Sequence, residues 1–205
     1  GFSVSNAGDV NGDGYDDVII GGQNEATTAG GANSGASYVV FGKAGNIMPI
    51  NLSSLTVAGN SSGFLISGQS ALDSLGYSVS SAGDINGDGL SDVIVGSISG
   101  GSLTGFQSPG RSYVVFGKTD TTSVDLSAVA AGSGGFAING QLANDSSGRE
   151  VSNAGDINGD GIGDLLIGSL RGNANAGTTV GVGYVVYGKT GTTSPIELGN
   201  LASSS

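Results

Sequence analysis

The sequence contains no cysteine, no histidine and no tryptophan. Without cysteine no disulfide can staple the chain, and without cysteine or histidine there is no Ser-His-Asp or Cys-His pair and none of the usual zinc ligands. Cations are scarce as well. Lys43, Arg111, Lys118, Arg149, Arg171 and Lys189 are scattered along a chain of formal charge −11, which leaves no electrostatic footprint for nucleic acid or for an anionic membrane. No apolar run approaches the ~20 residues that span a bilayer, so no membrane insertion is expected. No basic-then-apolar leader precedes Gly1, whose place at the start suggests a processed form or a piece of a longer chain. Glycine, in contrast, is abundant, with 41 in 205 residues, far above the usual ~7%. Such a content means many tight turns, low complexity, or both. The runs "DVIIGG", "YVVFG", "DVIVGS" and "DLLIGS" decide between them, being too apolar and β-branched for a disordered chain. The composition is that of a folded, turn-rich β protein, long enough for one large domain or two small ones.

One unit is repeated along the chain. "DVNGDGYDD" at Asp9 returns as "DINGDGLSD" at Asp84 and "DINGDGIGD" at Asp156. Each is preceded by an apolar-polar stretch, "GFSVSNAGD", "GYSVSSAGD" or "GREVSNAGD". Each is followed by a short apolar run, a variable Gly/Ser/Asn/Thr-rich segment, and then "SYVVFGK" or "GYVVYGK". A fourth element, "GFLISGQ" from Gly63 and "GFAINGQ" from Gly135, occurs twice. The units are placed approximately at 1–75, 76–147 and 148–205, the third without its fourth strand. Each reads as four short strands separated by turns. The second and third strands are continuously apolar, as for strands covered on both faces, and the fourth alternates, aligning Phe64 with Ile66 and Phe136 with Ile138. No helical period is present. Four-stranded units at this spacing predict an all-β fold of antiparallel β-propeller-type blades, with the variable segments as loops between second and third strands.

In the first acidic loop, side-chain oxygens fall at positions 1, 3, 5 and 9 (Asp9, Asn11, Asp13 and Asp17), with the Tyr15 carbonyl at position 7. Alternating oxygens around a glycine at position 6 suit a hard cation of coordination six to eight, which the backbone must curl around. Calcium is the ion this pattern predicts, at three sites. The second set is Asp84, Asn86, Asp88, the Leu90 carbonyl and Asp92; the third is Asp156, Asn158, Asp160, the Ile162 carbonyl and Asp164. An EF-hand would need a bidentate Glu at position 12, where Ile20, Val95 or Ile167 stands. A plain Asn-Gly or Asp-Gly hairpin turn is the simpler alternative, but it does not need acids at positions 1 and 9 in all three copies. Three carboxylates within a few ångströms repel by ~1 kcal/mol or more per close pair, so a cation is expected to hold the turn shut. Three Ca2+ would take the formal −11 to −5 and serve as structural glue, not as a catalyst.

The core S-V-S-x-A-G-D-x-N-G-D-G-x-x-D and the downstream Y-V-V-F-G resemble FG-GAP repeats, the blades of the integrin alpha-subunit β-propeller and of many bacterial surface proteins. The resemblance covers essentially the whole chain. Leu75-Gly76 and Ser147-Gly148 stand in place of Phe-Gly, and "GGQ", "GSI" and "GSL" in place of Gly-Ala-Pro. It implies an extracellular or cell-surface module, non-catalytic, for adhesion or for binding a protein or glycan ligand, with calcium fixing the blades. Propellers close with four to eight blades, whereas three acidic loops and eleven strands are read here. The expectation is a part of a larger propeller, or blades completed by neighbouring subunits. Such self-association makes rings if it closes and filaments if it does not.

Other motifs are set aside. "GYVVYGKT" fits a Walker A pattern, but its variable positions, Tyr184 to Tyr187, read as a strand. Triplets for glycosylation at Asn51, Asn60 and Asn144 are expected by chance in so Ser/Thr-rich a chain. Asp73 and Asp145 read as turn or cap residues. Tyr38, Phe41, Tyr113, Phe116, Tyr184 and Tyr187 recur at fixed places and are expected between blades.

Overall fold

The computed structural model describes residues 1–45, 49–57, 60–99, 108–172, 180–191 and 193–201; parts of the variable segments, 100–107 and 173–179, lie outside them. The described residues make an all-β architecture with a few one-turn helices and three sheets. β1 (Ser3–Gly8), β2 (Asp17–Gly22), β3 (Ala36–Val40) and β4 (Gly63–Ser67) form the first as an antiparallel meander. β5 (Leu75–Gly83), β6 (Asp92–Ser97) and β7 (Arg111–Val115) begin the second; the chain then gives β8 (Val124–Asp125) to the first sheet before β9 (Gly135–Asn139) completes the second. β10 (Glu150–Gly155), β11 (Asp164–Gly172) and β12 (Val180–Val186) form the third, and β13 (Ile196–Glu197) returns to the second.

Period-two alternation sends the side chains of each strand to opposite faces, and both faces of the middle sheet are buried. Val93, Val95, Tyr113, Val115 and Ala137 pack against Ile19, Val39, Phe64 and Ile66 of the first sheet. From the other face Ile94, Val114, Phe136 and Ile138 pack against Leu165, Ile167, Tyr184 and Val186 of the third. Every residue of β6 is buried, which is why that strand reads as an uninterrupted apolar run. Each fully buried aliphatic side chain here contributes ~1.5–3 kcal/mol. The sheets approach closely where glycine permits: a Cβ on Gly96 would lie 1.9 Å from the Gly148 carbonyl oxygen.

Two features depart from the expectation. The first is helical: a 3-10 turn at Leu52–Thr56, α1 (Leu126–Ala130) and α2 (Leu198–Leu201). One turn is too short to register a 3.6 period. Caps mark two of them, the Asn51 and Asp125 side chains accepting from Ser53 N and Ser127 N. Their apolar residues Leu55, Leu126 and Leu198 are buried in the clusters that cover the sheets. The second is an interlock. β8 pairs parallel with β4 (Ile66 with Val124, Ser67 with Asp125), and β13 pairs parallel with β9 (Ile196 with Ile138, Glu197 with Asn139). Each later repeat thus reaches back to the last strand of the one before it.

Most of the recurring aromatics lie in the core as expected, and Phe41 meets Phe64 edge-on with centroids 6.0 Å apart. Tyr187 does not: it is 60% exposed, because no described element covers the outer face of the third sheet. Leu166 and Val185 on that sheet are exposed as well. No helix among the described residues is long and apolar enough to cross a membrane.

Candidate functional site

Each acidic loop joins the first two strands of its sheet. It is entered through a β-bulge, the register shifting between Asn6 and Gly8, Ser81 and Gly83, and Asn153 and Gly155. It is left where Gly8, Gly83 and Gly155 pair with Asp17, Asp92 and Asp164. Positions 4 and 6 turn the chain in the left-handed region: Gly12 and Gly14 have φ of 77° and 88°, and the other two loops match within a few degrees.

The side chains organise that turn from within. Asp9 Oδ1 accepts from Gly12 N at 2.7 Å and Asp13 N at 3.1 Å, and Oδ2 accepts from Gly14 N at 2.9 Å. Asn11 Oδ1 accepts from Asp13 N at 3.0 Å while its amide donates to Asp13 Oδ2 at 2.9 Å. Asp13 Oδ1 accepts from Tyr15 N at 3.0 Å. Asp84, Asn86, Asp88 and Leu90 repeat this set bond for bond. Asp156, Asn158, Asp160 and Ile162 do so again. A loop whose Asp and Asn oxygens absorb successive N–H groups has its backbone already wrapped.

The acid at position 9 has a different task. Asp17 Oδ2 accepts from Val10 N and Oδ1 from Gly42 N, both at 2.8 Å. Asp92 bonds Ile85 N and Gly117 N, and Asp164 bonds Ile157 N and Gly188 N. All three carboxylates are buried, and each clamps its loop to the exit of the third strand. That explains the glycine of "FGK" and "YGK", which sequence reasoning did not place at the site. A Cβ on Gly42 would lie 2.3 Å from Asp16 O, and one on Gly188 2.2 Å from Gly163 O. The signal for it was the recurrence of that glycine after every third strand. Neighbouring loops also touch, since Ser91 N donates to Asp9 O and Lys118 N to Val10 O, each at 2.9 Å.

Burial acts on the charge state of Asp17 and Asp92. Desolvation raises the Asp17 carboxyl above its ordinary value, its two backbone bonds oppose the rise, and repulsion from Asp13 and Asp9 adds to it. Asp92 is pushed up to about 7 by burial, against the bonds from Gly117 and Ile85 and with the charges of Asp88 and Asp84. The acids of one loop therefore sense one another. They do not converge, however: among the described residues no three acidic side chains gather into a group that could hold a metal ion. Asp9 and Asp17 spend their near oxygens on N–H groups, and Asp13 takes the Asn11 amide. A carboxylate keeps further lone pairs after accepting such bonds. Each loop therefore offers hard oxygen donors, and the repulsion felt by Asp17 and Asp92 is one that a cation would relieve, which fits the chemistry of a hard divalent ion.

Asp73 and Asp145 lie apart from the loops. Their Oδ2 atoms accept from Ser70 N at 2.7 Å and Leu142 N at 2.8 Å, and their carbonyls from Ser97 Oγ and Ser169 Oγ, so both hold turns.

Comparison with known proteins agrees with this repeated geometry. The FG-GAP repeat family matches residues 1–40 and 75–115. Over 98 residues, 47% of this chain, the sequence is 37% identical to integrin alpha-E of Mus musculus, and the match spans 8% of that protein's length. The third loop lies outside the two stretches that match the FG-GAP repeat, yet carries the same hydrogen bonds as the first two.

Two stretches of the chain match the FG-GAP repeat and the chain is similar over part of its length to an integrin alpha chain, its sheets being consistent with propeller-type blades.

Proposed function

We propose that the chain is a calcium-stabilised, non-catalytic β-propeller module acting outside the cell or at its surface in adhesion, with a protein or glycan as ligand. Asp9, Asn11, Asp13, the Tyr15 carbonyl and Asp17 would hold the first ion, with the equivalent residues of the other loops holding two more. Bound there, calcium supplies charge neutralisation and fixes the hairpin; the chain's own residues wrap the backbone and clamp the loop to its third strand. The observation that carries this reading is the bond-for-bond identity of the three loops. Calorimetric titration of the chelated protein tests it, three ions per chain being the expected stoichiometry. No calcium uptake would overturn it.

A second reading, a structural subunit of an extracellular filament joined blade to blade, is favoured by the interlock of β8 on β4 and β13 on β9. That device lets one repeat complete another, whether the two belong to one chain or to two.

A further inference from the structure

We propose that Asn51 is an acceptor for an N-linked glycan, its side-chain amide taking an oligosaccharide from a polyprenyl diphosphate carrier. The inference rests on the reading of the chain as a module outside the cell or at its surface, where such a modification is carried.

Three Asn-x-Ser triplets occur, Asn51-Leu52-Ser53, Asn60-Ser61-Ser62 and Asn144-Asp145-Ser146. Composition does not separate them; the fold does. Transfer to the folded chain needs an amide nitrogen open to solvent and a triplet that can enter an enzyme cleft without dismantling its surroundings. At Asn60 the nitrogen is spent. Its Nδ2 donates to Leu55 O at 3.1 Å and to Val57 O at 3.3 Å, while Oδ1 accepts from Ser62 N at 3.1 Å. A sugar on Nδ2 replaces one of those donated hydrogens and pushes into the turn that the amide closes. At Asn144 the asparagine is exposed, but its neighbour holds the triplet down. Asp145 is 1% exposed, and its carbonyl accepts from Ser169 Oγ at 2.8 Å and Leu170 N at 2.9 Å, which pins it to β11. Asn144 and Ser146 on either side are turned into the left-handed region, with φ of 69° and 50°. Lifting that triplet out would open the seam between the second and third sheets.

Asn51 has neither restraint. It stands just ahead of the 3-10 turn Leu52–Thr56, in the segment between β3 and β4, and it is exposed together with Ser53 and Ser54. Oδ1 accepts from Ser53 N at 3.1 Å and Ser53 Oγ at 3.0 Å, so the hydroxyl of the third residue already lies on the acceptor amide. Nδ2 makes no hydrogen bond among the described residues. One atom of the amide therefore caps the turn and the other is left for chemistry, and a sugar on Nδ2 leaves the cap in place. In the transfer the Nδ2–C1 bond forms as the C1–O bond to the diphosphate breaks. Nδ2 gives up one hydrogen as a proton, and the diphosphate leaves with the bonding electrons.

The test incubates the whole folded chain, in calcium, with a purified single-subunit oligosaccharyltransferase and a lipid-linked oligosaccharide, and reads intact mass and peptide maps. Short peptides carrying each triplet serve as controls for the enzyme's tolerance of the three sequences. One glycan per chain is expected, on Asn51, with loss of the modification in Asn51→Gln and in Ser53→Ala and its retention in Ser53→Thr. The glycosylated chain should melt within ~2 °C of the bare one because the cap survives, whereas Asn51→Ala, which removes the cap, should melt roughly 2–4 °C lower. No transfer to the chain, or transfer to Asn60 or Asn144 as fast as to Asn51, overturns the proposal. Location is read separately: a chain that accepts the glycan in vitro but is recovered only inside its cells sinks the extracellular reading and leaves the acceptor assignment standing.

Discussion

Replacing Gly117 by alanine isolates the clamp between an acidic loop and its third strand. The added Cβ would lie 2.6 Å from Leu90 Cβ, 2.8 Å from Ser91 O and 2.9 Å from Val10 O. Two of these are backbone oxygens in two different loops, and neither can swing aside as a side chain would. Relief requires the β7 exit to move outward, which stretches the 2.8 Å bond from Gly117 N to Asp92 Oδ1. Forced overpacking costs ~1–3 kcal/mol, and weakening a hydrogen bond to a buried charged acceptor adds about 1.5–3 kcal/mol. Taken together about 3–5 kcal/mol is at stake, and at about 2–4 °C per kcal/mol for a chain of this size the melting temperature should fall by roughly 6–20 °C. Gly183→Ala is the control, because its Cβ would meet nothing within 4 Å; it should shift the midpoint by no more than ~2 °C. Thermal melts of both variants, followed by circular dichroism in calcium, decide the matter. If Gly117→Ala melts alongside Gly183→Ala, the close approach is not a constraint and the account of the "FGK" glycine fails.

Chelation should lower the melting temperature of the parent chain, and Asp84→Ala should reduce the calcium stoichiometry by one while leaving the other two loops able to bind, as read by calorimetry. In the chelated protein the Asp92 carboxyl, raised from 3.8 to about 7, is worth most to the fold while protonated. Its contribution is complete below pH ~4 and is lost as pH climbs toward 7. Melting temperatures of chelated protein should therefore fall across that window, and a flat or rising profile would count against a buried, repelled carboxylate. Phe136→Ala removes a buried ring and its edge-on contact with Phe116, at a cost of ~3–5 kcal/mol measurable by urea denaturation.

The blade pattern was legible in the sequence because strand faces leave a period of two. "DVIVGS" reads as a strand covered on both sides, and β6 is one. "GFLISG" alternates, and Phe64 and Ile66 are buried while Leu65 is only partly covered. The interlock was not legible. Val124–Asp125 and Ile196–Glu197 are two-residue strands, too short to carry any alternation. What identifies them is a partner from another repeat, which no local window contains. The one-turn helices escape notice for the same reason, although the Asn51 and Asp125 caps were visible as residues. Tyr187 shows the opposite failure: its sequence context equals that of Phe41, and only the arrangement of sheets shows that, among the described residues, none covers its face of the third sheet.

The alternation of Asp and Asn in the loops was readable because their side-chain oxygens fold back, every second residue, onto the loop's own N–H groups. What spacing concealed is that the three acids of a loop do unequal work. Asp9 folds the turn locally, its partners all lying within five residues. Asp17 reaches 25 residues ahead to Gly42, so its carboxylate belongs to the sheet as much as to the loop. The loops are joined in turn through Ser91 N to Asp9 O and Lys118 N to Val10 O, bonds that cross from the second sheet to the first. A cation that stiffens the first loop would thereby stiffen the joint between two blades, and not merely the hairpin that holds it.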